Sequence, residues 1–560
     1  MDLYKLFNPF PKDDKLVYGK ITNINVNKEE KNVIVNITLT NDEMLEFDED
    51  IYGKEGLLNN IINYFNNMQD ESSENIKRIS KKYNLENSTN WVFNIETYNI
   101  SKHMSLLKQT FDKFKPYFYE LTVTITDNDI FWKYLCILKY CTRTFLFKLI
   151  GINYMQLIYD LHENLEDIYI NLEDTYKNLD DINEWWDDLY SGYWPLKLIC
   201  NKDINKQRND IIAGNVLFSA SPIKVKNAII NIVDNDIDAK YKSDVIDKKN
   251  RHIFNTKNNV ITDDVKDKKV LENMMNRYCP KKINKIKYTM YYVGQGLCSY
   301  INFNRNFGVF YDIGFSVSGE KDKSINFEVD GSYKRYYNNK PKAIILSHWD
   351  TDHILGIVYC NPEIYDRIWI APDINNLNSN SDSALRLSKY LSLREEMKNI
   401  GVVKYNKTLY LISDKYNDNI VYCNKYINIY KGKGTATNGH STKQNNIGLV
   451  VELTIRDKNL LLTGDVDYFK MPCKLTTRNF DYLQVPHHGA DVGTPIFKPK
   501  VKNESVAMIP VSEVNKFKHP YLNHLEKLEY DGFEIIRADK FEERNKCICN
   551  GDKDKFVIHL

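Results

Sequence analysis

Four side chains able to ligate a metal stand within six residues, in the run His348-Trp349-Asp350-Thr351-Asp352-His353. The run follows Lys342-Ala343-Ile344-Ile345-Leu346-Ser347, which reads as a buried strand, and leads into an apolar helix start at Ile354-Leu355-Gly356. Alternate residues of an extended segment share a face, so His348, Asp350 and Asp352 can project together. His353 then enters from the turn into the helix. Mixed imidazole and carboxylate donors suit zinc, manganese or iron. Thiolate-free sites of this kind are generally open and catalytic rather than closed and structural.

The elements that must position these ligands begin after Lys285. Glycines there punctuate short apolar runs, among them Tyr288 to Val293, Gly308 to Ile313, Ile368 to Ile370, Leu449 to Leu453 and Leu460 to Thr463. Short buried strands separated by loops and helices predict a layered α/β fold for residues 285–560. Eight of the 11 His lie beyond residue 347, which places the chemistry in this half.

Earlier in the chain, Val17, Ile21, Ile24 and Val26, then Val33, Val35, Ile37 and Leu39, alternate on either side of a polar run at 27–32. That is a β-hairpin pattern. Helix is expected near 56–68 and over about 101–189, making residues 1–232 an α+β region, a hairpin followed by mostly helix. Trp185 and Trp186 within it read as core or interface anchors. Residues 233–284 are charge-rich with few apolar anchors and are expected to be a linker. Nothing in residues 1–232 reads as chemistry. Gating the site, binding a protein partner and supplying substrate contacts all stay open to them.

The chain has 560 residues and a formal net charge of +1, from 76 Lys+Arg against 75 Asp+Glu. That balance gives no global basic footprint for nucleic acid or an anionic membrane. No C-x-x-C pair occurs among the 10 Cys, and only Cys547 and Cys549 are close together. Reduced, mostly buried thiols in a cytoplasmic protein are therefore expected. Residues 1–5 lack the basic-then-apolar run of a signal peptide. The apolar stretch at 131–161 is broken by charges, so no membrane span is expected.

With these residues in view, the second half resembles the metallo-β-lactamase fold superfamily, whose signature is H-x-[HD]-x-D-H after a strand. Asp350 in the second ligand position resembles the branch found at the C-terminus of the ComEC-type DNA-uptake proteins. The likeness runs in order through Val293-Gly294-Gln295-Gly296, Tyr311-Asp312-Ile313-Gly314, Ser347 to His353, Asn445-Asn446-Ile447-Gly448-Leu449-Val450, Leu462-Thr463-Gly464-Asp465 and Val485-Pro486-His487-His488-Gly489. A weaker match covers Asn515 to Pro520, Gly532 and Arg537.

The resemblance implies an αββα sandwich and a centre of two divalent metal ions, Zn or Mn. Its ligands would be His348, Asp350, Asp352, His353, Asp465 and one or both of His487 and His488, with His487 favoured. Asp465 would bridge the ions, and Asp312 and Asn446 would orient ligands from behind. The implied activity is that of a phosphodiesterase or nuclease. A hydroxide held between ions roughly 3.5–4 Å apart would attack phosphorus, with Asp350 or Asp352 steering the proton and His519 contacting phosphate or protonating the leaving group. Single-stranded nucleic acid is the implied substrate, with Lys443, Phe517 and Lys518 lining its groove. The alternatives are a hydrolase of a small ester, lactone or thioester, or a non-catalytic platform.

Three positions depart from the branch pattern: Tyr292 and Leu297 replace acids, and Ala490 replaces Ser. The superfamily's third motif supplies a His, for which His440 is the nearest candidate. It reads as a surface residue of a Gly/Thr/Asn-rich loop.

Overall fold

The computed structural model describes residues 16–27, 32–67, 70–83, 100–126, 194–200, 212–219, 223–232, 236–262, 264–305, 307–316, 337–375, 380–400, 402, 404–434, 442–512, 519–539 and 555–560. Strands and helices are mixed throughout, in several sheets. Among the described residues no helix is long and apolar enough to cross a membrane.

The expected hairpin is present. β1 (Leu16–Asn27) and β2 (Asn32–Thr40) pair antiparallel, with Val26 opposite Val33 and Tyr18 opposite Thr40. Val17, Ile21, Ile37 and Leu39 are buried. Three helices follow: α1 (Asp42–Tyr52), α2 (Leu57–Asn67), as expected near 56–68, and α3 (Asp70–Lys82). α4 (Ile100–Lys113) begins the expected helical region.

The expected helix gives way to strand at 118–126, and the rest of that stretch, 127–189, lies outside the described residues. β3 (Phe118–Thr126), β4 (Trp194–Cys200), β5 (Ile212–Ser219) and β6 (Ile223–Ile232) join the hairpin in a closed barrel ordered β1-β2-β3-β5-β6-β4. The physical reason lies in the local sequence. Leu121, Val123 and Ile125 alternate with Thr122, Thr124 and Thr126, a period of two in β-branched residues. Trp185 and Trp186 lie outside the described residues.

The segment 233–284, expected as a charged linker, carries regular structure. α5 (Asp236–Ile253) and α6 (Val265–Tyr278) flank β7 (Val260–Ile261), which pairs parallel with β13 (Leu409–Ile412). α6 buries only Leu271 and Met275, while Lys266, Lys268 and Lys269 face solvent. A stripe this narrow leaves little apolar signal in the composition.

The remaining strands form two sheets. One is eight-stranded. It contains β23 (Lys555–His559), β8 (Lys287–Tyr291), β9 (Cys298–Asn304), β10 (Phe307–Ile313), β11 (Ala343–Ile345), β12 (Ile368–Pro372), β13 and β7, in that order. The other is seven-stranded, ordered β14 (Ile420–Cys423), β15 (Ile427–Lys431), β16 (Leu449–Ile455), β17 (Lys458–Leu462), β19 (Tyr482–Gln484), β21 (Val506–Ile509) and β22 (Glu534–Arg537). β18 (Asn479–Phe480) and β20 (Lys498–Pro499) make a small ribbon beside it.

Strand parity explains how the sheets stack. Val309, Tyr311, Ile345 and Ile370 of the first sheet share one apolar core with Leu449, Val451, Leu460 and Leu462 of the second. Their neighbours point the other way. Phe310, Ile344 and Trp369 pack with α8 (Asp382–Lys398) and the N-terminal elements. Val450, Leu461 and Ile509 pack with α10 (Leu522–Asp531). Successive side chains on a strand face opposite sides, so a wholly apolar run needs a partner on each face. Cys279 and Cys298 are buried, Cys360 is half-buried, and Cys423 and Cys473 are exposed. Cys547 and Cys549 lie outside the described residues.

Candidate metal centre

The predicted ligands gather at the carboxyl ends of parallel strands, where open α/β sheets form their crevices. β10 and β11 run parallel, and so do β17, β19 and β21. Asp312 sits at the end of β10, and the His348 loop follows β11. Asp465 follows β17, and His487 and His488 follow β19.

The His348 loop is pinned on three sides. Buried Trp349 donates its indole N–H to Pro372 O at 2.9 Å. Leu297 N–H donates to Asp352 O at 3.2 Å, and Gly314 N–H donates to Leu297 O at 2.6 Å. A Cβ on Gly314 would lie 1.9 Å from Asp352 O. Two of the motif's loops thus stack directly under the ligand loop, and only glycine fits there. The helix begins at Thr351, earlier than expected: α7 (Thr351–Ile354) carries Asp352 and His353 in its single turn.

Asp312 organises the loop from behind. Its Oδ1 accepts from Ser347 N–H, and its Oδ2 accepts from Ser347 Oγ–H, both at 2.6 Å. Oδ2 also lies 2.9 Å from His353 Nδ1. A carboxylate there requires the proton on Nδ1 and turns the Nε2 lone pair inward. Asp312 adopts φ +56°, a left-handed backbone in which Asp is enriched among non-glycine residues.

The inward atoms converge. His353 Nε2 lies 3.3 Å from Asp465 Oδ1 and 4.0 Å from Asp352 Oδ1. His488 Nε2 lies 3.5 Å from Asp352 Oδ2 and 3.9 Å from Asp465 Oδ1. His348 Nε2 lies 3.8 Å from Asp465 Oδ2, and His487 Nε2 lies 3.6 Å from that same oxygen. Two groups have ligand atoms within 4.8 Å of one another and could hold a metal ion: His348 with His353 and Asp465, and Asp352 with His353 and His488. Both neighbouring imidazoles therefore reach Asp465, and His488 rather than His487 completes a three-ligand group.

His488 is oriented as firmly as His353. Its Nδ1 donates to Pro510 O at 2.6 Å, leaving Nε2 as the inward acceptor. His487 and His488 both adopt left-handed backbone, φ 49° and 55°. Each such non-glycine residue costs roughly 1–2 kcal/mol, and His487 N–H donating to Gly464 O at 3.0 Å helps hold the turn.

His353 Nε2 and His488 Nε2 are buried and have no hydrogen-bond partner among the described residues. Buried nitrogens left in this state are costly, and two of them aimed at carboxylates fit a divalent cation. Electrostatics agree. Burial by itself lowers the His353 pKa, but the carboxylates of Asp465, Asp312 and Asp352 outweigh it and raise it well above the ordinary imidazole value. Burial by itself raises the Asp465 pKa, but the imidazoles of His353, His487 and His488 pull it well below the carboxylate range. In the metal-free protein, protons on imidazole supply the positive charge that the carboxylates require.

Asp350 reaches the convergence through His348, whose Nε2 lies 3.2 Å from Asp350 Oδ2, and is in neither three-ligand group. Gln444 Nε2 donates to its Oδ1 at 2.6 Å, and Asn445 Nδ2 donates to its Oδ2 at 3.2 Å. Asn445 Nδ2 also donates to His348 Nε2 at 3.1 Å. Both amides lie on α9 (Lys443–Asn446). Asn446, expected behind the ligands, instead exchanges hydrogen bonds with Asp467, at 3.2 and 3.0 Å. Gln444 is absent from the sequence reading, and Asn445 stands there in a matched motif without a role. The signal that finds Asn445 is the capping box with Thr442, which aims one Asn of the pair and not the other.

His519 is buried, with its ring centroid 6.0 Å from that of His487. Burial, then the neighbouring imidazoles of His487 and His488, hold its pKa well below the ordinary value. Sequence reasoning also missed His524, on α10. Its Nδ1 donates to Ala490 O and its Nε2 accepts from Tyr468 O–H, both at 2.8 Å, which braces the loop after His488. Tyr292, Leu297 and Ala490 are all buried. His440, Phe517 and Lys518 lie outside the described residues, and Lys443 is half-buried.

No family model matches the chain, and no curated protein matches it. Among solved structures it is similar to a metal-dependent hydrolase of the beta-lactamase superfamily, at 9% identity and a TM-score of 0.27, covering 45% of this chain and 95% of that one.

Proposed function

We propose that this protein is a metal-dependent hydrolase of the metallo-β-lactamase type, with an αββα domain over about 285–560, and that it cleaves phosphodiester bonds as a nuclease or phosphodiesterase. The observation that carries the metal reading is the pair of buried nitrogens, His353 Nε2 and His488 Nε2, that converge with the carboxylates of Asp352 and Asp465. The phosphodiester reading is supported by the six ordered motifs that resemble the ComEC-type branch.

His348, Asp350, Asp352, His353, Asp465 and His488 would hold two divalent ions, Zn or Mn, with His487 beside them. Such ions, when bound, supply charge for the negative charge that develops on the electrophile and lower the pKa of water. The chain's own residues divide the remaining work. Asp352 moves the proton, because its side chain is 26% exposed and no amide side chain among the described residues holds it, whereas both oxygens of Asp350 accept from amides. His519, kept neutral by its surroundings, contacts a phosphate oxygen by hydrogen bonding.

The test is a turnover panel with Mn²⁺ and Zn²⁺ on single-stranded DNA, RNA, bis(p-nitrophenyl) phosphate and p-nitrophenyl acetate. Phosphodiesters are the expected substrates. Turnover of the carboxylic ester alone would overturn the phosphodiester reading and leave the metal reading in place.

A further inference from the structure

The two halves of the candidate centre are built differently. On the His488 side, the two buried nitrogens lie against carboxylate oxygens that are themselves candidate ligands, His353 Nε2 at 3.3 Å from Asp465 Oδ1 and His488 Nε2 at 3.5 Å from Asp352 Oδ2, and no amide caps either nitrogen among the described residues. On the His348 side, every inward atom is already engaged. His348 Nε2 accepts from Asn445, and the two oxygens of Asp350 accept from Gln444 and Asn445.

The orientation of the Asn445 amide is fixed rather than adaptable. Its Oδ1 accepts from Thr442 N–H at 2.8 Å, and Thr442 Oγ accepts from Asn445 N–H at 3.1 Å. The reciprocal cap leaves only the NH₂ end to face His348. The two candidate ligand groups also share His353, whose Nδ1 is committed to Asp312. One free nitrogen serves one ion.

We propose that the centre is asymmetric by construction. A single tight ion sits among Asp352, His353, Asp465 and His488, and the His348–Asp350 half is masked by the Asn445 and Gln444 amides, which a second ion must displace. This rests on the reading of the cluster as a metal centre. Displacing hydrogen bonds to a charged carboxylate and a buried imidazole makes the second ion much the weaker one.

The experiment counts metal on the full chain. Protein loaded with excess Zn²⁺ is desalted and assayed by mass spectrometry of the elements, and the Zn²⁺ affinity is measured by chelator competition. The wild type should retain one Zn²⁺ per chain. His348→Ala should keep that ion within about threefold in affinity, whereas His488→Ala should weaken it at least about tenfold. Asn445→His, which replaces the masking amide by a ligand, should retain two. Two equally tight ions in the wild type overturn the proposal without touching the metal reading, and so does a loss in His348→Ala as large as in His488→Ala. Wild-type protein that retains no ion overturns both. The wild-type count depends on no variant folding.

Discussion

Asp312 is fully buried, and it sets the tautomer of His353 and the position of Ser347 through hydrogen bonds of 2.6 to 2.9 Å. Asp312→Asn puts an amide against His353 Nδ1 and should weaken Zn²⁺ binding about 10- to 100-fold, read by chelator competition. The raised pKa of His353 also has a direction that can be measured. In the metal-free protein its imidazole is charged, and a metal ion must displace that proton. Metal binding should therefore release protons, and affinity should rise with pH. Calorimetric titration in buffers of different ionisation enthalpy reads the number released, and zero would contradict the assignment. The same shift stabilises the metal-free fold below the ordinary imidazole range, and that stability is lost as pH rises through the raised value. At this scale much was legible. His348, Asp350, Asp352 and His353 fall within six residues, so their spacing alone places them in one loop and helix start. Asn445 and His524 were hidden because their partners are side chains or carbonyls distant in the chain, namely His348, Asp350, Ala490 and Tyr468.

The elements hold the centre by close backbone packing. Gly314→Ala would drive a Cβ into Asp352 O, and neither backbone can yield without moving the ligand loop. Its expected cost is at least about 2 kcal/mol of stability, together with weaker metal binding, measured by thermal melts with and without Zn²⁺. α8 plays the corresponding part on the outer face of the eight-stranded sheet. Arg386, fully buried, donates Nε–H to Asp48 of α1 at 2.9 Å and lies 4.0 Å from the Tyr117 ring centroid. Arg386→Leu leaves a buried carboxylate unpaired and should destabilise the protein by about 3–5 kcal/mol. Adding Asp48→Leu should recover much of that loss. β8, β10, β11, β12, β16 and β17 were legible as short apolar runs, whereas strands with polar or half-buried positions, such as β9, β22 and β23, were not. Nor was the barrel. A strand such as β3, between a helix and 67 residues of unlike pattern, gives one local cue and draws its other partners from far along the chain. The helices at 236–278 were misread because a two-residue apolar stripe looks like a solvated linker.

Taken as a whole, the molecule joins the barrel to α8 through a buried polar seam. Asp382 N–H donates to Thr38 Oγ, Tyr119 N–H donates to Ser383 Oγ, and Asn250 of α5 donates to Asp382. Glu120 lies in this seam, and burial pushes its carboxyl up to about 8. The folded protein then holds a proton that the unfolded chain releases, so this group's contribution favours folding less and less as pH rises from the ordinary carboxylate value to about 8. Glu120→Gln should gain about 1–3 kcal/mol on the wild type at pH above 8 and almost nothing near pH 4, read by chemical denaturation at the two pH values. A gain independent of pH would contradict the burial of a charged Glu120. The near-neutral total charge left substrate class unreadable at this scale, because a sum of +1 says nothing about where charges stand. The measurement that bears most directly on the central claim is hydrolysis of bis(p-nitrophenyl) phosphate by wild type and Asp465→Ala, each assayed with Mn²⁺ or Zn²⁺ and with its metal content determined. The account predicts turnover by the wild type, abolished by chelator and restored by metal, and a loss of at least about 100-fold in Asp465→Ala. A wild-type protein that retains no metal and turns over no substrate, or an Asp465→Ala variant as active as wild type, would contradict it.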